Sequence, residues 1–306
     1  MSGFKRRVPI NLTLIITAYN EGLRLHNTID SVFARASPEV KVIVVDDGSD
    51  VVVANQVESR RSLQIIRHEQ RIGIGASRLE ASRLVTQGVI GYLDGHQLIE
   101  GDSLQQCAEA AEMGEAIVCP DTADFDSLEL LHGAYFTQTS ERKLLGAEWK
   151  RILPSARTTK VSSLKAPAYF VPSHLFSRLR WSSLLRGWGG SEASVSLKAF
   201  FTGIPILHLC GPLIRHQFKK QFHYDVGWPE VWRNQAIVTR ICFDDSTWHR
   251  YWLPEVFAPH LTAEAKRVLE SDEIKLERAE FAKFKVRSDR EFWTRLIFQK
   301  LPAVLE

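Results

Sequence analysis

The sequence predicts an α/β fold: a mostly parallel sheet with helices on both faces, followed by a helical C-terminal extension. Three observations carry that prediction. Continuous apolar, β-branched runs recur through the first hundred residues, as in strands buried on both faces. Each run breaks at a short polar or glycine-containing loop and is followed by helix-spaced apolar residues. The third is that acidic and hydroxyl side chains collect where the runs end.

Leu12-Thr13-Leu14-Ile15-Ile16-Thr17 is the first run, broken by Ala18-Tyr19-Asn20-Glu21-Gly22 and followed by helical spacing from Leu23 to Ala36. Val40 to Val45 is the second, stopping at Asp46-Asp47-Gly48-Ser49-Asp50, whose composition is that of a turn. Leu63 to Arg67 precedes Gly73-Ile74-Gly75 and a helical stretch to about Gln87, and Val89 to Leu93 ends at Asp94. A helix over about 103–113 and a strand over 116–119 come next, and the polar stretch from Asp121 to about Lys165 predicts loops and excursions. Pro167 to Leu175 reads as strand and turn, Arg186 to Glu192 as a glycine-rich loop, Ala193 to Thr202 as a helix, and Ile204 to Leu209 as a short last strand. Beyond about Phe222, tryptophans 228, 232, 248 and 252 occur among helical patterns, and 266–290 is charged and amphipathic. The predicted division is residues 1–225 for the sheet domain and 226–306 for the helical extension packed on it.

A chain of 306 residues with 44% hydrophobic content can bury a large core. A net charge of +3 does not call for a polyanionic partner, although Arg215, Lys219 and Lys220 cluster locally. No apolar stretch approaches the roughly 18 residues that span a bilayer, and Lys5-Arg6-Arg7 precedes a strand-like run and not a signal segment, so the expectation is a cytoplasmic protein with no transmembrane segment. Cys107, Cys119, Cys210 and Cys242 form no CxxC pair and read as free structural thiols; a zinc site built from them is the weaker alternative.

In sheets of this kind ligands sit beyond the carboxyl ends of the strands, which places Thr17, Asp46, Asp47 and Asp94 around one crevice. Asp94-Gly95-His96 offers a carboxylate and an imidazole two residues apart at a strand end, able to face one divalent cation. The alternative is a turn aspartate beside an unrelated histidine. Gly73-Ile74-Gly75 by itself is only a turn before a helix.

Ile16-Thr17-Ala18-Tyr19-Asn20-Glu21 and Val44-Val45-Asp46-Asp47-Gly48-Ser49, together with the acidic motif at Asp94, resemble GT-A-fold glycosyltransferases of the family 2 type. Ile66 to Gly73, Leu93-Asp94-Gly95-His96, Val118-Cys119-Pro120, Trp188-Gly189-Gly190 and His216-Gln217-Phe218 are similar, in order, to landmarks of the catalytic domain of polypeptide N-acetylgalactosaminyltransferases. The resemblance covers roughly residues 11 to 240. It implies a Rossmann-like GT-A fold, a UDP-sugar donor, and a manganese (or magnesium) ion held by Asp94, His96 and His216. The sequence departs from that family at Ser191, which follows Trp-Gly-Gly where the family has glutamate, and at Ala76, where it has arginine. Nothing here resembles that family's secretory anchor or lectin domain, so a peptide acceptor in a secretory compartment is not implied.

On this reading Thr17 and Tyr19 join the nucleotide loop, Glu21 orders it, and Asp46 and Asp47 accept hydrogen bonds from uracil or ribose. Their alternative is a plain strand-to-turn boundary. Arg78 reaches the diphosphate or stands as a solvated helix charge. Gly189 and Gly190 allow close backbone approach to a sugar on which Trp188 stacks. Glu192 is a general base if the reaction inverts, a positioning carboxylate if it retains, or simply a first-turn helix residue. The expected function is metal-dependent transfer of a sugar, GalNAc or GlcNAc, from a UDP-sugar to a hydroxyl acceptor, with Asp94, Trp188 and Glu192 as the catalytic set. The acceptor stays open between protein, glycan and modified DNA base. The alternatives are a cytosolic transferase acting on hydroxymethylated DNA bases, for which the basic and aromatic C-terminal part speaks, and a non-catalytic nucleotide-sugar-binding or nucleic-acid-binding protein.

Overall fold

The computed structural model describes residues 10–139, 141–151, 153–164, 167–219 and 226–306. The expectations for the basic start Lys5-Arg6-Arg7, for Lys165, for Lys220 and for Phe222 lie outside the described residues.

Strands β1 (Leu12–Ala18), β2 (Lys41–Asp46), β3 (Leu63–Arg67) and β4 (Val89–Asp94) form the parallel half of the main sheet, in the order β3-β2-β1-β4. Helices α1 (Leu23–Arg35) and α2 (Ile74–Ser82) link strands within this half. Alternation along the strands serves both faces. Leu14, Ile16, Val42 and Val44 join one hydrophobic cluster, whereas Ile15, Ile43 and Val45 join the other. The uninterrupted apolar runs follow from that double burial.

The second half is more mixed than its sequence predicts. Two short elements, β5 (Gln97–Ile99) and helix α3 (Ser103–Gly114), lead to β6 (Ile117–Asp121). The stretch from 121 to 165 is not only loops: β7 (Ala134–Gln138) and β8 (Leu145–Trp149) form a separate antiparallel hairpin, and β9 (Thr158–Val161) pairs with the main sheet. The signal was weak because these strands are short and only partly buried. Strand β10 (Tyr169–Pro172) runs antiparallel between β4 and β6. Gly91 opposite Phe170 makes this possible, since a Cβ there would lie 2.8 Å from the Phe170 ring and 2.6 Å from a Leu14 methyl.

A short helix α4 (Phe176–Leu179) and helix α5 (Ser191–Thr202) precede β11 (Ile206–His216). The last strand is therefore eleven residues long, not six, and carries His216 at its end. A register shift between Leu209 and Leu213 lets it pair first with β6 and β9 and then with β5. That irregularity hid its second half from a periodicity argument.

Helix α6 (Trp228–Cys242), the short α7 (Asp245–Thr247), a π-helical stretch Trp248–Phe257, then α8 (Ala263–Leu269), α9 (Asp272–Ala282) and α10 (Asp289–Glu291) form the C-terminal part. Trp232, Trp248, Trp252 and Trp293 are buried in the cluster that also holds Ile15 and Tyr92 of the sheet. The aromatics are mainly core; Trp228, at 51% exposed, is the exception among those singled out in the sequence. The four cysteines are free thiols, and no described helix is long and apolar enough to cross a membrane.

Candidate active site

Parallel register brings the strand-end residues together. Thr17 pairs across to Asp94 of β4, and Ala18 pairs to Asp46 of β2, so the ends of β1, β2 and β4 lie side by side. They open into a cleft of about 700 Å³ lined, among others, by Thr17, Tyr19, Glu21, Asp47, Asp94 and His96 from this edge. Trp188, Gly189, Gly190, Glu192 and His216 line it from the second half of the sheet.

His96 and His216, 120 positions apart, do converge. Their ring centroids are 4.6 Å apart, and one ligating atom each from Asp94, His96 and His216 lies within 4.8 Å of the others. Nε2 of His216 is 3.4 Å from Asp94 Oδ2, and its Nδ1 is buried with no hydrogen-bond partner among the described residues. Burial pushes the Asp94 carboxyl up, but His216, Arg78 and His96 outweigh burial and hold it well below the usual carboxylate range. Burial lowers the His216 pKa, which favours the neutral, ligating form. An ionised oxygen and two imidazole nitrogens fit a borderline divalent cation such as manganese.

Behind His96 stands a second layer. Glu21 Oε1 lies 3.2 Å from His96 Nδ1 and accepts from Lys219 Nζ at 2.6 Å. Burial raises the Glu21 pKa, but His96 and Lys219 bring it down to about 2. A carboxylate at the far nitrogen orients an imidazole and raises its basicity. Glu21 therefore orients His96 and is itself held by Lys219.

Asp46, Asp47 and Arg78 are each engaged by protein partners. Asp46 is fully buried, and its carboxylate accepts from Ser49 N, Val53 N and the Arg67 guanidinium, so it shapes the turn and does not line the cleft. Asp47 lines the cleft, yet its oxygens accept from Ile72 N at 2.9 Å and Gly73 N at 2.8 Å, with His68 also at 2.9 Å. Arg78 is not a solvated helix charge. At 1% exposure it donates to Asp94 Oδ1 at 2.8 Å, to Glu192 Oε1 at 3.3 Å and to the Tyr169 hydroxyl at 3.3 Å. It stands under the cleft floor and holds both carboxylates. The pKa of Glu192 is pushed up by burial, against Arg78, while 42% of its side chain still meets solvent and tempers the effect.

The Trp188-Gly189-Gly190 loop is held from two sides. Gly73 bridges to Gly187, and a Cβ on Gly73, whose φ is +104°, would lie 2.2 Å from the Gly187 nitrogen. From α6, Asn234 Nδ2 donates to the carbonyls of Arg186 at 2.6 Å, Gly189 at 3.1 Å and Trp188 at 3.2 Å. Cleft residues that sequence reasoning passed over include Trp149 and Gln235. Lys219 and Trp228 had a sequence signal, the first in the basic cluster after β11 and the second among the C-terminal tryptophans.

Residues 13–158 match the family described as Glycosyl transferase family 2. Polypeptide N-acetylgalactosaminyltransferase 4 of Mus musculus is 27% identical over 267 residues, 78% of this chain and 45% of that protein. Polypeptide N-acetylgalactosaminyltransferase 4 of Caenorhabditis elegans is 24% identical over 69% of this chain and 39% of its own length. The chain thus spans less than half the length of these two relatives. Among solved structures, GalNAc-T7 with UDP, GalNAc and Mn2+ superposes with a TM-score of 0.69 at 17% identity, covering 94% of this chain and 57% of that one. S. aureus TarS 1-349 in complex with UDP-GlcNAc gives 0.52 at 12% identity, over 90% and 91%. These likenesses share the GT-A fold.

Proposed function

We propose, from the premise that the chain is a GT-A glycosyltransferase of the family 2 type, that it transfers a sugar from a UDP-sugar to a hydroxyl acceptor with a manganese ion at Asp94, His96 and His216. The observation that carries this reading is the convergence of those three side chains at the strand-end cleft. The donor sugar is GalNAc or GlcNAc, in keeping with the sugars bound in the two solved structures of the same fold.

Asp94, His96 and His216 would hold the ion, which would supply a Lewis acid for the charge that builds on the departing diphosphate. The chain's own residues do the rest. Arg78 keeps Asp94 ionised and aimed, and Glu21 aims His96. Thr17, Tyr19 and Asp47 border the nucleoside end of the cleft, with the Arg71 guanidinium over the Tyr19 ring at 4.9 Å. Gly189 and Gly190 admit the sugar beside Trp188. Glu192, tied through Arg78 to the same anchor as Asp94, receives the proton of the acceptor hydroxyl. The division at residues 225 and 226 belongs to the same proposal, with α6 closing the cleft through Trp228 and Gln235.

The test is transfer or hydrolysis of UDP-sugars by purified protein with manganese. Asp94→Ala should abolish turnover with the fold kept. Glu192→Gln should lower kcat by roughly 10²–10⁴-fold while leaving UDP affinity in place. Turnover that survives chelation and Asp94→Ala would sink the metal role.

A further inference from the structure

Away from the cation triad, β11 and β6 gather a second set of metal-capable side chains. Asp121 ends β6, His132 precedes β7, and His208 and Cys210 stand two residues apart on β11. One ligating atom from each lies within 4.8 Å of all the others. Asp121, His132 and His208 are buried, and Cys210 is partly exposed.

The geometry is convergent. Nδ1 of His132 lies 2.7 Å and Nε2 of His208 2.9 Å from the same oxygen, Asp121 Oδ1, while Oδ2 accepts from Gly211 N at 2.7 Å. Side chains two apart on a strand share a face, so His208 and Cys210 point together. The register shift between Leu209 and Leu213 sets Asp121 opposite the irregular stretch that holds Cys210 and Gly211. Three separate chain segments thus aim one oxygen, two nitrogens and one sulfur at a common point. Tetrahedral zinc, with ligand bonds of about 2.0–2.3 Å, needs ligand atoms about 3.3–3.8 Å apart. Opening the 2.7 and 2.9 Å contacts by roughly half an ångström, and closing any pair near the 4.8 Å bound by up to about one, reaches that spacing.

We propose that Asp121, His132, His208 and Cys210 form a structural zinc-class site, distinct from the cation triad in the cleft. The donor sets divide the metals by softness. A thiolate beside two imidazoles selects zinc, whereas the oxygen and nitrogen triad without sulfur suits manganese. Binding deprotonates the Cys210 thiol, whose pKa burial and the nearby Asp121 raise, so one proton leaves to solvent as the Cys210–metal bond forms. His132 would ligate through Nδ1 with its proton on Nε2, and His208 through Nε2 with its proton on Nδ1, which has no partner among the described residues. The bound ion pins the β11 irregularity upstream of His216, joining β6, β11 and the approach to β7.

The test uses the full chain, stripped of metal and titrated with cobalt(II) as the spectroscopic stand-in for zinc. Wild type should take up about two equivalents, one of which gives thiolate-to-cobalt charge-transfer absorption. The cleft triad has no sulfur and cannot produce that band. Cys210→Ser should lose the band and keep the cleft equivalent, and zinc should raise the melting temperature of wild type more than that of Cys210→Ser. His208→Gln serves as the second variant, with binding of a single equivalent expected. A metal-stripped wild type that shows no thiolate band and no zinc-dependent rise in melting temperature overturns the site, whatever the cleft does.

Discussion

Arg78 has almost no solvent contact and three hydrogen-bond partners, two of them the carboxylates of Asp94 and Glu192. A guanidinium pays its desolvation only when such partners surround it, and its fixed fork then fixes their geometry in turn. Arg78→Met should therefore cost about 2–4 kcal/mol in urea unfolding, toward the lower part of the range for breaking buried pairs because the carboxylates keep some solvent. Manganese-dependent UDP affinity should fall as well, since Asp94 loses a hydrogen-bonding partner that, beside His216, holds its pKa down and aims it, and Arg78→Lys should recover part of the stability and less of the affinity. Unchanged affinity in the Met variant would mean that His216 alone sets Asp94. At this scale the sequence was informative about identities and poor about directions. Asp94 and His96 stand two apart at a strand end, a local pattern; whether Arg78 faces water or the floor depends on what covers α2, which no local pattern reports.

At the scale of elements, the glycine loop between α4 and α5 is legible as a loop, but not what holds it. Its carbonyls are collected by Asn234 of α6, more than forty residues later, and Asn234 is itself 1% exposed. Asn234→Ala leaves those carbonyls short of a donor, at about 1–3 kcal/mol for a buried unsatisfied group. The expected outcome is a raised KM for the donor sugar with manganese affinity unchanged, read by steady-state kinetics beside a metal titration; equal loss of both would point to general unfolding of the cleft. Strand β11 makes the same point about irregularity. Its first half is a plain apolar run, whereas the register shift and Gly211, at φ +108°, break the alternation before His216.

For the whole molecule, one hydrophobic cluster runs from Ile15 and Ile43 of the sheet to Trp252 and Trp293 of the C-terminal helices. Elements that share a core unfold together. Trp252→Ala, at a site fully buried among Phe243, Phe257, Phe292 and Trp293, should cost about 3–5 kcal/mol. It should also lower the single melting transition seen by near-UV dichroism and by UDP binding alike. Two separated transitions, with only the later helices affected, would make the C-terminal part an independent unit.

The α/β class, the parallel half of the sheet and the strand-end polar motifs followed from the sequence alone, because burial on both faces writes continuous apolar runs and strand ends write their polar residues locally. The separate β7–β8 hairpin, the antiparallel β10, the placement of Arg78 beneath Asp94 and Glu192, and the meeting of Asp121, His132, His208 and Cys210 were decided only by the tertiary structure. Each depends on contacts between segments tens of residues apart, and a periodic pattern carries no information about which distant segment will pack against it.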